Sequence, residues 1–146
     1  MVPHLRTLFL KRKKMIKLTL FEFEKNFSLH DSDITKIDYN AENKKLILEI
    51  DYCNWFENFD DQKDFINGKI SATFENISYY SYEGYDPSKL FSDYDPEILQ
   101  TEIDDDGILN IYTFEFVRYE PGEDLYPIMK IQAENVEVTE LERYNL

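Results

Sequence analysis

The sequence predicts an all-β fold, a single antiparallel β-sandwich or curled barrel of seven to eight strands with one or two short helical turns. Three observations predict it. From Asn43 to Cys53 the side chains alternate, with Leu46, Leu48, Ile50 and Tyr52 on one face and Ile47, Glu49, Asp51 and Cys53 on the other. A period of two is the mark of a strand with one face in a core. Eleven Tyr and eleven Phe against only four Gly suit pleated sheet, where aromatic rings pack well. Turn-prone clusters of Asn, Asp, Gly and Pro separate the apolar runs, with no alternation of strands and long helices.

The chain of 146 residues fits one domain with a sizeable core. Residues 1–14 stand apart as a basic arm, carrying Arg6, Lys11, Arg12, Lys13 and Lys14 and no acid. Sixteen basic side chains in all, five of them in this arm, leave eleven against thirty acidic ones over residues 15–146. The arm lacks the apolar core and cleavage site of a signal peptide, and no run reaches membrane-spanning length. The expectation is a cytoplasmic protein, with residues 15–146 as one β-domain and the arm either idle or placed before a true start at Met15.

In chain order, Ile16, Leu18 and Leu20 alternate with Lys17 and Thr19, and Phe21 and Phe23 continue with a change of face. This reads as a first strand bulged near Leu20-Phe21. Ile34–Tyr39 is a second strand, joined by Asn40–Asn43 to the Asn43–Cys53 strand as a hairpin. Over Asn54–Asn67, Trp55, Phe59 and Ile66 share a helical face with Gly68 as the stop; an aromatic-lined loop is the alternative. Ile70, Ala72 and Phe74 open a strand to about Ile77, and the pattern breaks from Ser78 to Asp95, where Pro87–Phe91 suits one helical turn. Ile98–Ile103, a turn at Asp104–Gly107, and Ile108–Val117 make a second hairpin. Ile128–Ala133 and Val136–Leu141 are the last two strands.

Charge bounds the partners. A net charge of −14 repels nucleic acid and anionic membranes and attracts basic proteins or divalent cations, although acidity also serves solubility alone. Catalytic signatures are missing: no Gly-rich phosphate loop, no Gly-x-Ser-x-Gly, no His-Glu-x-x-His. Cys53 is the one cysteine, which excludes an internal disulfide and a multi-cysteine zinc site. A non-enzyme without a cofactor is expected.

Three sets of residues carry candidate chemistry. His30, Asp31 and Asp33 could ligate a metal, the basis of an alternative metal-dependent hydrolase. Neighbours on an extended chain point to opposite sides, so the competing reading is a polar strand start with His30 bonded to backbone. Aspartates at Asp60, Asp61 and Asp64, at Asp86, Asp93 and Asp95, and at Asp104–Asp106 could supply oxygens to calcium. The last run also suits a plain turn. Third is the tyrosine-acidic stretch of Tyr79, Tyr80, Tyr82, Glu83, Tyr85, Asp86, Asp93, Tyr94 and Asp95. Tyrosines ringed by carboxylates suit a surface that grips a basic protein, its Arg and Lys stacking on rings while pairing with acids.

The segment Phe27-Ser28-Leu29-His30-Asp31-Ser32-Asp33-Ile34, followed by Ile37 and the Leu46–Asp51 strand, resembles the opening of small acidic bacterial β-domains. In these an His-Asp-Ser-x-Ile element precedes an alternating strand, and some are grouped with immunity proteins of polymorphic toxin systems. The resemblance covers residues 27–53 and implies a toxin-neutralising interaction role with no catalytic residues.

Overall fold

The computed structural model describes residues 15–58, 61–83, 96–116, 124–125 and 127–144. The alternation of Leu46, Leu48 and Ile50 is realised as expected: all three are fully buried on β4 (Lys45–Asn58), which pairs antiparallel with β3 (Asp33–Asn40). Their hairpin turns through Asn40, whose side-chain oxygen accepts from the Asn43 amide at 3.0 Å. On its other edge β4 pairs with β5 (Asp61–Glu83), and β5 with β9 (Ile128–Tyr144). The first part of β9 pairs with β7 (Leu109–Phe116), which pairs with β6 (Glu97–Ile103).

β6 then meets β3 at Asp33↔Glu97. Three further bonds fasten the junction: Asp31 N to Ile98 O at 2.8 Å, Ile98 N to Ser32 O at 2.8 Å and Ile34 N to Pro96 O at 2.9 Å. The order β3-β4-β5-β9-β7-β6 therefore returns to β3. Of the two architectures expected, the sheet adopts the curled barrel, a partial ring. β1 (Met15–Leu18) lies along the later part of β9, while β2 (Phe27–Ser28) and β8 (Asp124–Leu125) are two-residue additions to β4 and β7.

The ring encloses one core. Ile70, Ala72 and Phe74 of β5 face Val136, Val138, Met129 and Ile131 of β9, with Ile98, Leu109 and Ile111 from β6 and β7. A helix, α1 (Leu20–Asn26), lays Leu20 and Phe23 onto this core. Phe23 meets Phe74 edge-on, with centroids 5.8 Å apart, and stacks on Phe27 at 5.2 Å. Phe27 in turn stacks on Trp55 at 6.1 Å.

Four expectations are corrected, each by an identifiable local cause. The change of face at Leu20-Phe21 is a helix and not a bulge. Thr19 accepts from the Glu22 amide at 3.1 Å while the Glu22 carboxylate accepts from the Thr19 amide at 3.0 Å, a reciprocal cap that starts a helix. Residues 54–58 and 61–67 pair antiparallel as strands and not as a helix, with Trp55 opposite Ile66 and Asn67 donating to Asn54 at 2.8 Å; Phe59 and Asp60 lie outside the described residues. Gly68 consequently lies within β5 and stops nothing. Tyr52 does not share the inner face with Ile50. A bulge between Ile50 and Cys53, with Tyr52 at φ 57, turns Tyr52 out and Cys53 and Trp55 in. Finally, β5 runs on to Glu83 and β9 is one strand through Ala133–Val136. The turn expected at residues 87–91 lies outside the described residues, as do residues 1–14.

The Asp104–Gly107 turn is as read. Gly107 sits at φ 77, where a side chain would be strained, and its amide donates to Asp104 O at 3.0 Å. Asp104 Oδ1 accepts from the amides of Asp106 (2.9 Å) and Ile108 (3.1 Å), and Oδ2 from the Asn110 amide group (3.1 Å). The Asn110 bond, then the Ile108 amide, hold this carboxyl below its ordinary 3.8. A lowered folded-state value contributes stability above the unfolded value that is lost as pH falls through the folded one. The melting-temperature gap between wild type and Asp104→Ala should therefore be widest near neutrality and shrink as pH falls below about 4. A gap that stays constant down to pH 2 would show that the ionised carboxylate does not hold the turn.

Candidate functional site

The strand β5 carries Tyr79, Tyr80, Tyr82 and Glu83 on its last turn-free stretch, held to β9 in register: Tyr79↔Gln132, Tyr80↔Ile131, Ser81↔Lys130, Tyr82↔Met129 and Glu83↔Ile128. Directly opposed residues share a face. Tyr80 and Tyr82 thus stand on the side of buried Ile131 and Met129, while Tyr79, Ser81 and Glu83 stand on the side of Gln132 and Lys130. Sequence patterning placed these tyrosines in a loop; the ladder places them on a braced strand. The bulge at Asn76–Ser78, with Asn76 at φ 53, is why the alternation looked broken there. Tyr85, Asp86, Asp93, Tyr94 and Asp95 lie outside the described residues.

Within this end of the sheet the rings divide their work. Tyr80 is half-buried against the core and its ring lies 4.2 Å from that of Tyr39. Tyr79 and Tyr82 are 42% and 41% exposed, too open to be core. The Ser81 hydroxyl donates to the Tyr79 oxygen at 2.8 Å, orienting the ring. Next to Tyr79, Lys130 reaches the Glu83 carboxylate at 2.9 Å. Across β7, the Tyr112 hydroxyl donates to Glu102 at 2.6 Å.

These groups act on one another electrically. The Glu83 bond, with lesser help from Tyr79 and Tyr112, raises the Lys130 ammonium above its usual value. The Glu102 bond raises the Tyr112 phenol. The face thus holds a cation on the Glu83 carboxylate using its own lysine.

His30, Asp31 and Asp33 form a different arrangement. Asp31 adopts φ 64, so its carboxylate comes back to within 3.3 Å of His30 Nε2, against the expectation that neighbours diverge. His30 Nδ1 meets the Leu99 carbonyl, the backbone partner of the polar-start reading. Asp33 stands on β3 in register with Asp51 and Glu97. Beside His30 is an open groove of about 340 Å³, lined by Lys25, Phe27, Phe56, Leu99 and Thr101 among others. Among the described residues no group of three or more His, Cys, Asp or Glu side chains gathers where it could hold a metal ion. Cys53 is buried, and burial pushes its thiol far up, away from the thiolate a nucleophile needs.

Two features escaped sequence reasoning. Lys130, Tyr112 and Glu102 join the tyrosine face only through the β5–β9–β7–β6 order, which no local pattern announces. Asp51, Tyr52 and Tyr144 meet at the other end of β9; no sequence signal marked them, because Tyr52 and Cys53 continue the alternation of letters straight through the bulge. No helix among the described residues is long and apolar enough to cross a membrane. Comparison with family models, with curated proteins and with solved structures gives no match.

Proposed function

We propose that this chain is an acidic protein-binding module that grips a basic protein through the Tyr79–Glu83 end of β5 and the strands beside it. The observation that carries the reading is the seat of Lys130, an ammonium held at 2.9 Å by Glu83 on the side of the sheet that also carries Tyr79. A surface that solvates its own lysine in this way offers the same chemistry to lysines and arginines of a partner. Tyr79 on the Lys130 side and Tyr82 on the other side of the strand end, each about two-fifths exposed, supply rigid contact area, and a net charge of −14 supplies long-range attraction. In its sharpest form this chain is an immunity-type inhibitor of a toxin, the role that the resemblance over residues 27–53 implies, and the acidic surface suits a basic toxin such as a nuclease.

The test is capture with the full chain from an extract of its native cells, washed at low and then high salt. A Tyr79→Ala/Tyr82→Ala/Glu83→Lys variant runs beside it. A basic protein should be retained at low salt, released at high salt, and held at least about tenfold less by the variant. Equal retention by the variant, or no basic protein retained by the wild type, overturns the proposal.

A further inference from the structure

The far end of β9 carries a second aromatic and acidic group, its Tyr144 fourteen residues along the strand from Lys130, a separation of up to about 45 Å at strand rise. Asp51 and Tyr52 fall in the bulge where β4 has no β5 partners between Ile50 and Cys53. Tyr52 stands at φ 57 and is 56% exposed. The left-handed region suits Gly, Asn or Asp, and strain of this kind tends to persist where it serves a purpose. A tyrosine here meets the backbone requirement poorly, and more than half of the residue is in solvent instead of the core. Its ring lies 5.5 Å from that of Tyr144, tilted by 40°.

A carboxylate is fixed beside the two rings. Asp51 Oδ1 accepts from the Tyr144 hydroxyl at 2.5 Å and from the Tyr52 amide at 2.8 Å, and among the described residues Oδ2 accepts none. Glu142 brings a second carboxylate to 3.4 Å from the same hydroxyl. The nearest cation in sequence, Arg143, is bound to Glu140 at 2.7 Å.

From this geometry we infer that Tyr52, Tyr144 and Asp51 form a separate recognition site that takes an arginine side chain of a basic partner. The inference rests on the reading of this chain as a binder of basic proteins and adds a second point of contact to it. A guanidinium is flat, so it can lie against the exposed Tyr52 ring while its N–H edge donates to Asp51 Oδ2. A lysine ammonium can do one of these well but not both. The site is small and open, so it confers selectivity for one side chain and not the whole affinity.

The probe is a short acetylated peptide of alternating Arg and Gly, titrated calorimetrically into the full chain at low salt beside its Lys-Gly counterpart. The arginine peptide should bind about fivefold tighter than the lysine peptide. Asp51→Asn and Tyr52→Asn should each weaken it about tenfold and abolish the preference. Asn accepts left-handed backbone, so Tyr52→Asn should keep the melting temperature of the wild type. If Tyr52 serves packing only, the same variant melts lower and binds the arginine peptide as before, which overturns the inference. Equal affinity for the two peptides also overturns it. Because capture of the native partner is tested through Tyr79, Tyr82 and Glu83, loss of that result with the peptide preference intact would overturn the binding-face proposal and leave this site standing.

Discussion

Replacing Phe74 with alanine is expected to remove about 3–5 kcal/mol of stability, the usual cost of emptying an aromatic core position. Phe74 is fully buried on the inner face of β5 and receives the edge of Phe23 at 5.8 Å and 87°. The substitution therefore opens a cavity and also removes a ring pair worth about 0.5–1.5 kcal/mol beyond its area. Phe23 is the contact through which α1 is anchored, so helix and sheet loosen together. A domain of this size has about 5–15 kcal/mol in all, and the variant should populate unfolded chain at modest urea. Phe21, one residue from Leu20 on the same helix, is 65% exposed; Phe21→Ala should stay within about 0.5 kcal/mol. Urea unfolding of both variants is the check. A Phe74→Ala cost below about 1 kcal/mol would mean that the Phe23–Phe74 contact does not anchor the core.

Gly68→Ala should cost about 3 kcal/mol or more for a single added methyl group, the upper range for forced overpacking. A Cβ at Gly68 would lie 2.0 Å from the Glu142 carbonyl oxygen and 3.0 Å from both the Glu142 carbonyl carbon and the Trp55 ring. The nearest obstacle is backbone, which cannot swing aside as a side chain would. Relief requires β5 and β9 to separate where Asn67, Gly68 and Lys69 pair with Tyr144, Arg143 and Glu142. Hydrogen exchange should therefore accelerate at that end of β9 before it does elsewhere, and Tyr144 should lose its place beside Asp51. Gly107→Ala provides the contrast: its Cβ would meet only the Gln132 side chain at 3.5 Å, leaving a left-handed penalty of about 1 kcal/mol. Equal losses from the two glycines would argue against the close β5–β9 approach.

Where side-chain alternation and the turn residues agreed, the sequence was enough. Leu46, Leu48 and Ile50, the Asn40 turn and the Asp104–Gly107 turn each carry their own local cause, so the all-β class and two hairpins could be read directly. Local patterning failed where backbone changed conformation at a single residue. Tyr52 and Asn76 in left-handed geometry shift the alternation by one, which made continuous strands look interrupted. Trp55 and Ile66 are eleven apart, a spacing that imitates a helical face and is in fact a cross-strand pair. The Thr19–Glu22 cap was visible in the letters but was outweighed by the alternation leading into it. The tyrosines of the candidate face were legible as residues, and their companions were not. Lys130, Tyr112 and Glu102 come from strands far away in sequence, and only the β5–β9, β9–β7 and β7–β6 pairings make them neighbours.

β9 borders β1, β5 and β7, and it follows all three in chain order. Until it is made, β5 presents more than a dozen residues of open hydrogen-bonding edge, including the apolar Ile70–Phe74 run, and β1 and β7 have no common neighbour. Synthesis thus holds an exposed, pairing-competent strand in waiting, the condition under which nascent sheets find the wrong partner. The lysines and glutamate along β5 and β1, at Lys69, Lys17 and Glu75, fall on that waiting edge, where charge discourages a second nascent chain from docking before β9 arrives.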